Sequence, residues 1–191
     1  AANGNGRLFG VDFTSKMNLY ACGIYGTALH STDGGVSWTG MVTRTNFPLF
    51  GIRFVDSSNG WITGGFAFVS HTVDAGVNWT RQFVPWSGRL YAIDFVDNVH
   101  GWVVGDSGKI FATTDGGNSW TAQNSGVTKT LVAVRFANER KGWAVQEKGV
   151  VVRTFDGGAH WVPSYSPGPP LEAIDVQDSL HLWVVGGGGH I

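Results

Sequence analysis

The chain has 191 residues, of which 42% are hydrophobic, so it is long enough to bury one core as an all-β domain. Its 13 basic and 14 acidic residues leave a net charge of −1, which excludes the binding of nucleic acid or an anionic membrane through bulk electrostatics. The single cysteine, Cys22, excludes an internal disulfide framework and a cysteine-based zinc site.

The predicted elements repeat along the chain. A strand at Leu8–Phe13 comes first, and the octapeptide Ser31–Trp38 follows it. The octapeptide returns at Thr72, Thr113 and Thr154, each time after 41 residues. The third repeat shows the order of a full unit, with predicted strands at Leu90–Phe95, Trp102–Val104 and Ile110–Thr113 and a last one after the octapeptide. The repeats cover approximately residues 8–48, 49–89, 90–130 and 131–170, with a partial fifth at 171–191, all in a single domain over 1–191.

Four short strands at this period are typical of the blades of a β-propeller, and no segment shows a sustained helical period. The tryptophans follow the same period, since eight of the nine occupy two template positions. We therefore expect their rings to fill the gaps between blades. These eight are Trp38, Trp79, Trp120 and Trp161 in the octapeptide, and Trp61, Trp102, Trp143 and Trp183 after the first turn.

The octapeptide resembles the Asp-box, also called the BNR repeat. A hydroxyl residue, an Asp two later, a Gly two after that and a Trp three further keep their places in all four copies. Together with inner strands of the type Leu-x-x-Ile-x-Phe, the chain is most similar to the photosystem II assembly and stability factor type of propeller. The resemblance implies a structural role for the boxes, in which the Asp bonds the turn backbone and the Trp packs into the blade. The residues concerned are Asp33, Asp74, Asp115 and Asp156 with Trp38, Trp79, Trp120 and Trp161.

The last repeat is incomplete. It supplies predicted strands at Leu171–Val176 and Leu182–Val185 and ends at Ile191, so two strands of a fifth blade are missing. The sequence is compatible with a five-bladed ring whose fifth blade is abbreviated. It is also compatible with a piece of a larger propeller, which we favour because the last strands would leave an unpaired edge.

Candidate binding residues lie in the loops on the face opposite the boxes. The loop after the second box contains Arg81, Trp86 and Arg89, and its counterpart in the first repeat contains Arg44 and Phe47. A tryptophan flanked by arginines suits a stacking or protein-binding site. Packing of Trp86 over a neighbouring blade is an equal alternative.

A second pattern lies in the inner strands. The residue before the template Phe alternates in sign along the chain, as Asp12, Arg53, Asp94, Arg135 and Asp175. Adjacent inner strands would place each arginine between two aspartates. We expect a structural ion-pair series, with ligand binding by Arg53 and Arg135 as the alternative.

An enzyme is the competing hypothesis. Asp106 and Glu147 occupy the same turn in adjacent repeats and could form the carboxylate pair of a glycosidase. The alternative is that Asp106 and Glu147 are ordinary acidic residues of surface turns, and the arginine triad of a sialidase is not evident. We predict no catalytic residue, no metal and no cofactor, and we expect a protein-binding scaffold of the assembly-factor type. The alternative is a carbohydrate-active propeller, either a lectin or a glycosidase.

Membrane insertion is not expected. No run approaches the roughly 18 apolar residues of a membrane span. A basic segment followed by an apolar one is not visible at the start, so a targeting peptide, if one exists, lies outside this chain. The compartment stays open.

Overall fold

The structure, a computed structural model, describes residues 6–165, 170–178 and 181–189. Within them the chain forms consecutive antiparallel sheets, which we call blades 1 to 5 in chain order. Blade 1 contains Leu8–Phe13, Leu19–Gly23, Ala28–Ser31 and Thr39–Gly40. Blade 2 contains Leu49–Phe54, Gly60–Gly64, Val69–Thr72 and Thr80–Gln82.

The later blades keep the same order of strands. Blade 3 contains Leu90–Phe95, Gly101–Gly105, Lys109–Thr113 and Thr121–Asn124. Blade 4 contains Leu131–Phe136, Gly142–Gln146, Val150–Thr154 and Val162–Tyr165. The described part of blade 5 contains Leu171–Val176 and Leu182–Gly186. Single 3₁₀ turns lie at Ile24–Gly26, Asp106–Gly108 and Gly187–Gly189.

The first strand of each blade packs beside the first strand of the next, so these inner strands surround a central channel. Each inner strand has a β-bulge at its second residue, which the pairing with the second strand skips. A β-bulge changes the direction of the extra side chain. Each of the five bulges here turns one side chain toward the channel. The bulged residues are Phe9, Phe50, Tyr91, Val132 and Glu172.

Small residues after the bulge allow the inner strands to approach one another. A Cβ atom on Gly10 would lie 2.9 Å from Sγ of Cys22 and 3.0 Å from the carbonyl oxygen of Phe50. Ordinary carbon contacts need more room than this, so a side chain at Gly10 would force blades 1 and 2 apart.

The core lies between blades, as the tryptophan period predicted. Trp61 of blade 2 stacks on Phe95 of blade 3 with ring centroids 3.7 Å apart, and Trp102 stacks on Phe136 in the same way at 3.5 Å. Tyr20 of blade 1 stacks on an aromatic ring of blade 2 in the same way. Each of these aromatic side chains is buried, and burying one fully stabilises the fold by about 1.5–3 kcal/mol.

The indole nitrogens join the blades as well. Nε1 of Trp61 donates to the carbonyl oxygen of Gly116 in the box of blade 3, at 3.1 Å. Nε1 of Trp102 donates to that of Gly157 in the box of blade 4, also at 3.1 Å. One side chain therefore fixes both the spacing and the rotation of the next blade.

Two template aromatics depart from the expected burial. Trp183 in blade 5 is 47% exposed, and Trp38 in the first box is only half-buried. Phe13 in blade 1 is likewise 69% exposed. The burial of these rings comes from a neighbouring blade, and in the described residues no sheet packs on that side of blade 1 or of blade 5. In the described part of the chain, no helix has the length and apolar character needed to cross a bilayer.

Candidate functional site

The four boxes form one repeated hydrogen-bond pattern. In the first box, Oδ1 of Asp33 accepts the hydroxyl of Ser31 at 2.8 Å and the backbone N–H of Ser37 at 2.9 Å. The hydroxyl of Ser31 in turn accepts the backbone N–H of Gly35. The same contacts recur around Asp74, Asp115 and Asp156.

These hydrogen bonds favour the charged form of each box carboxylate. The Ser37 hydroxyl, followed by its backbone N–H, holds the pKa of Asp33 down at about 2. Ser119 acts on Asp115 in the same way, and the pKa of that carboxyl is also about 2. The oxygens of these carboxylates accept hydroxyl and N–H groups of their own turn, so the box aspartates stabilise the turn.

The second box differs in sequence but keeps the same backbone. Ala75 stands where the other boxes have glycine, and its φ of 59° is left-handed like the φ of 74° at Gly34. A left-handed alanine is strained relative to glycine. The box tolerates this strain because its other hydrogen bonds are kept.

The boxes mark one face of the molecule, and the loops mark the other. Each box donates to the turn between the first two strands, as from the N–H of Gly34 to the carbonyl of Met17. At the opposite end, the N–H of Gly26 in the turn after the second strand donates to the carbonyl of Phe47 in the loop after the fourth. Ala67 makes the corresponding bond to Gly88 in blade 2. We call this second end the loop face.

On the loop face, two exposed aromatic residues have a left-handed backbone. Tyr25 has a φ of 57° and Phe66 a φ of 56°, and both lie at the same position of the turn after the second strand. They are 77% and 64% exposed. Bulky residues are rare in this conformation, and here they display rings to solvent. Sequence reasoning missed both, since nothing in the repeat pattern separates them from Ser107 at the same place in blade 3.

A contiguous aromatic surface surrounds Phe66. Its ring centroid lies 4.7 Å from that of Phe47. On the other side, Phe66, Phe83 and Trp86 line a cavity of about 340 Å³. Phe83, also missed from the sequence, is 79% exposed. We define the aromatic surface as Phe47, Phe66, Phe83 and Trp86.

Trp86 both packs and faces this cavity. Its ring folds back over Gly88, where an added Cβ would collide with Nε1 of the indole, and it stays half-buried. Nζ of Lys109 lies 5.2 Å from the ring centroid. The ring therefore packs beside Lys109 of blade 3 and also lines an open cavity, and its binding role stays a prediction.

The three loop arginines are placed differently. The guanidinium of Arg81 lies 5.1 Å from the ring centroid of Phe68 and lines the cavity. Arg44 is exposed, with a left-handed φ of 56°. Arg89 instead donates through Nη1 to the hydroxyl of Tyr91 at 3.3 Å, and this bond raises the pKa of the guanidinium. Arg81 thus lies beside the aromatic surface and Arg44 lies in the loop that carries Phe47, whereas Arg89 bonds Tyr91, whose side chain lines the channel.

The alternating charges of the inner strands form an ion-pair series. Nε of Arg53 lies 3.1 Å from Oδ1 of Asp94, and its Nη1 lies 3.6 Å from Asp12. Arg135 reaches Asp94 at 3.8 Å and Asp175 at 3.9 Å. Each arginine lies between two aspartates, which is the arrangement of a structural series, and binding by Arg53 or Arg135 stays a prediction.

Asp94 is the most buried member of the series, and Asp12 is buried as well. Burial raises the pKa of its carboxyl, against the opposing effect of the two arginines. Its Oδ2 accepts the backbone N–H of Phe136 at 2.7 Å, and Oδ2 of Asp12 accepts that of Phe54 at 2.6 Å. These carboxylates therefore bind the inner strand of another blade as well as a cation.

The structure gives Asp106 and Glu147 different surroundings. Oδ2 of Asp106 accepts the backbone N–H of Arg89 at 3.0 Å, so this carboxylate fixes a loop. Glu147 lines a cavity of about 720 Å³ together with Arg7, Lys148 and Glu172. Among the described residues, no group of three His, Cys, Asp or Glu side chains is placed to hold a metal ion.

Comparison with known proteins decides the family. The family model described as photosynthesis system II assembly factor YCF48 matches residues 3–84 and 82–162, which together cover most of the chain. The chain belongs to the YCF48 family. A search among curated proteins finds no match.

Solved structures share the fold. YCF48 bound to a D1 peptide matches with a TM-score of 0.73 and 20% identity, over 90% of this chain and 57% of that one. YCF48 from Cyanidioschyzon merolae matches with 0.74 and 21%, over 96% and 65%. A GH74 enzyme from Niastella koreensis matches with 0.77 and 14%, over 92% and 32%. At these identities the likeness shows a β-propeller fold. The chain spans about three fifths of the YCF48 structures it matches.

Proposed function

We propose that this chain is a non-catalytic, protein-binding propeller domain that takes part in the assembly of a larger complex. Membership of the YCF48 family supports an assembly role, and the structure of a YCF48 protein bound to a D1 peptide supports a protein partner. The observation on this chain that carries the proposal is the aromatic surface. Exposed rings held on tight turns lose little conformational freedom on binding, and such residues commonly dominate protein interfaces.

The carboxylates favour this proposal over a glycosidase. A glycosidase needs one carboxyl to act as an acid and a second to act as a base or nucleophile across the same bond. In this chain Asp106 is committed to the backbone of Arg89, and Glu147 lines a separate cavity among charged side chains. The GH74 likeness supports the fold and not the reaction.

The proposal is tested by affinity capture from an extract of the source organism. The wild-type chain should retain a discrete protein, and the double variant Phe66→Ser/Phe83→Ser should retain at least about tenfold less, because interface aromatics carry much of the binding energy. Both side chains are exposed, so the melting temperature should hardly change.

Phe155→Ser is the matched control, because Phe155 is 52% exposed but lies in a box on the opposite face. It should capture as well as the wild type. Equal capture by the double variant would contradict the proposal. Enrichment on immobilised glycans in place of a protein would favour a carbohydrate-binding propeller instead.

A further inference from the structure

On the loop face, the segments of blades 1 and 2 contain positively charged residues and no negatively charged residue of their own. None of its turn and loop segments contains an Asp or a Glu, although they contain Arg44, Arg81 and Arg89. The segments are residues 23–28, 39–49, 64–68 and 80–90. The chain as a whole has a net charge of −1, so this face differs from the average.

The acidic residues of the same two blades lie elsewhere. Asp12 pairs with Arg53 in the inner strands, and Asp33 and Asp74 belong to boxes. Asp56 caps a turn on the box face by accepting the N–H groups of Ser58 and Asn59. The equivalent turns of blades 3 and 4 mix both signs, with Asp106 beside Lys109 and Glu147 beside Lys148. Asp106 of blade 3 approaches this face at Arg89, whose backbone N–H it accepts, whereas the segments that contain Arg44 and Arg81 include no Asp or Glu.

The aromatic surface and the arginines can act on one ligand. The cavity between Phe66, Phe83 and Trp86 has room for an apolar side chain, and Arg81 lies in its wall. Arg44 lies in the loop that also carries Phe47, whose ring contacts Phe66. A segment with an apolar side chain in the cavity would thus have the guanidinium of Arg81 beside it, and Arg44 is an exposed residue of the neighbouring loop.

We propose that the aromatic surface binds an acidic segment of a partner protein, in which Asp or Glu residues flank an aromatic or aliphatic side chain. This inference rests on the proposed function and specifies the partner. Carboxylates would pair with Arg44 and Arg81, since arginine forms strong charge-assisted hydrogen bonds with carboxylates. Arg89 contributes less, because its side chain is bonded to Tyr91.

A protein segment fits this surface better than an anionic membrane does. Segments that bind anionic lipids commonly carry clusters of about four to eight basic residues, more than the three arginines here. The cavity between Phe66 and Trp86 is also concave, whereas a bilayer surface would meet only protruding side chains. The experiment therefore has to distinguish binding to an acidic protein segment from binding to anionic vesicles.

The test compares labelled peptides by fluorescence anisotropy. One peptide alternates Asp with Phe and Leu, and the second has Asn in place of every Asp. The acidic peptide should bind the wild-type chain at least about tenfold more tightly at low salt, and the difference should shrink at about 0.5 M NaCl because screening weakens exposed charge pairs. Vesicles of phosphatidylglycerol serve as a third probe.

Variants assign the effect to residues. Arg44→Gln/Arg81→Gln should weaken the acidic peptide about tenfold and leave the amide peptide unchanged. Arg140→Gln is the matched control, since Arg140 is exposed on the box face. Phe66→Ser/Phe83→Ser should weaken both peptides.

The outcomes separate the two proposals. Equal binding of both peptides, dependent on Phe66 and Phe83, would overturn the acidic segment and leave the protein-binding surface standing. Vesicle binding that competes with the acidic peptide would overturn it as well. If neither peptide binds, affinity capture decides. The inference is supported if the captured protein is released by about 0.5 M NaCl and is not captured by Arg44→Gln/Arg81→Gln. It is overturned if the protein is retained in salt and is also captured by the variant. Capture that needs neither Phe66 nor Phe83 removes both proposals.

Discussion

At the scale of single residues, the fully buried carboxylate of Asp94 depends most on its neighbours. It lies between Arg53 and Arg135, and the nearer contact is the 3.1 Å approach of Arg53. Removing one partner of a buried ion pair leaves a charge without compensation. We therefore predict that Arg53→Ala lowers the free energy of unfolding by about 2–4 kcal/mol, measured by urea denaturation.

The pH dependence of this loss has a definite sign. The pKa of Asp94 is raised by burial, so the folded state binds a proton more readily than the unfolded chain does. The destabilisation is full above the folded pKa and is relieved as the pH falls through it, so the deficit of Arg53→Ala should shrink in acid. Unchanged stability together with lost capture of a partner would instead give Arg53 a binding role.

At the scale of the element, the Asp-box predicts an acid transition. The pKa of Asp33 and of Asp115 is about 2 in the folded chain, below the value of about 3.9 for an unfolded aspartate. Carboxylates with lowered pKa values stabilise the fold fully above the unfolded pKa and lose this effect as the pH falls through the folded one. The melting temperature should therefore drop between about pH 4 and pH 2.

The variant Asp115→Asn distinguishes the contribution of the box carboxylates to acid destabilisation from other effects of low pH. The amide keeps one acceptor oxygen for the N–H of Ser119 but carries no charge. The variant should melt lower than the wild type at pH 7, and it should lose less between about pH 4 and pH 2. Parallel melting curves for the two proteins over this range would show that the box carboxylates do not cause the transition.

At the scale of the whole molecule, neighbouring blades share their cores. Trp102 stacks on Phe136 and donates to Gly157, so one side chain of blade 3 completes the interior of blade 4. We predict that Trp102→Ala costs about 3–5 kcal/mol and splits the calorimetric transition, because blades before and after it would unfold separately. Trp86→Ala, at a half-buried loop position, should leave a single transition; two transitions there as well would argue against coupling through Trp102.

The sequence predicted the contacts between residues whose positions are fixed by the 41-residue repeat. The Asp-box contacts around Asp33 lie within eight residues and were implied by the resemblance to the Asp-box. The ion pairs of Asp94 could be predicted from the alternating charges on inner strands set side by side. The exposure of Trp183 depends on which sheet packs beside it, and the spacing of the repeats carries no information about that neighbour. The backbone of Phe66 and the bond from Arg89 to Asp106 depend on turn conformation and loop contacts, so the aromatic surface was found only in part.

The left-handed turn position also bears on how binding surfaces of this kind diversify. Tyr25, Phe66, Ser107 and Gly188 occupy it with φ between 56° and 74°, so side chains of very different size are accommodated by one backbone. Mutation at these tips exchanges what the molecule shows to its surroundings while the hydrogen bonds beneath stay the same. Blade 4 is the exception, because Lys148 at the equivalent position is not left-handed. At the other four tips, selection or design could change the exposed side chain independently.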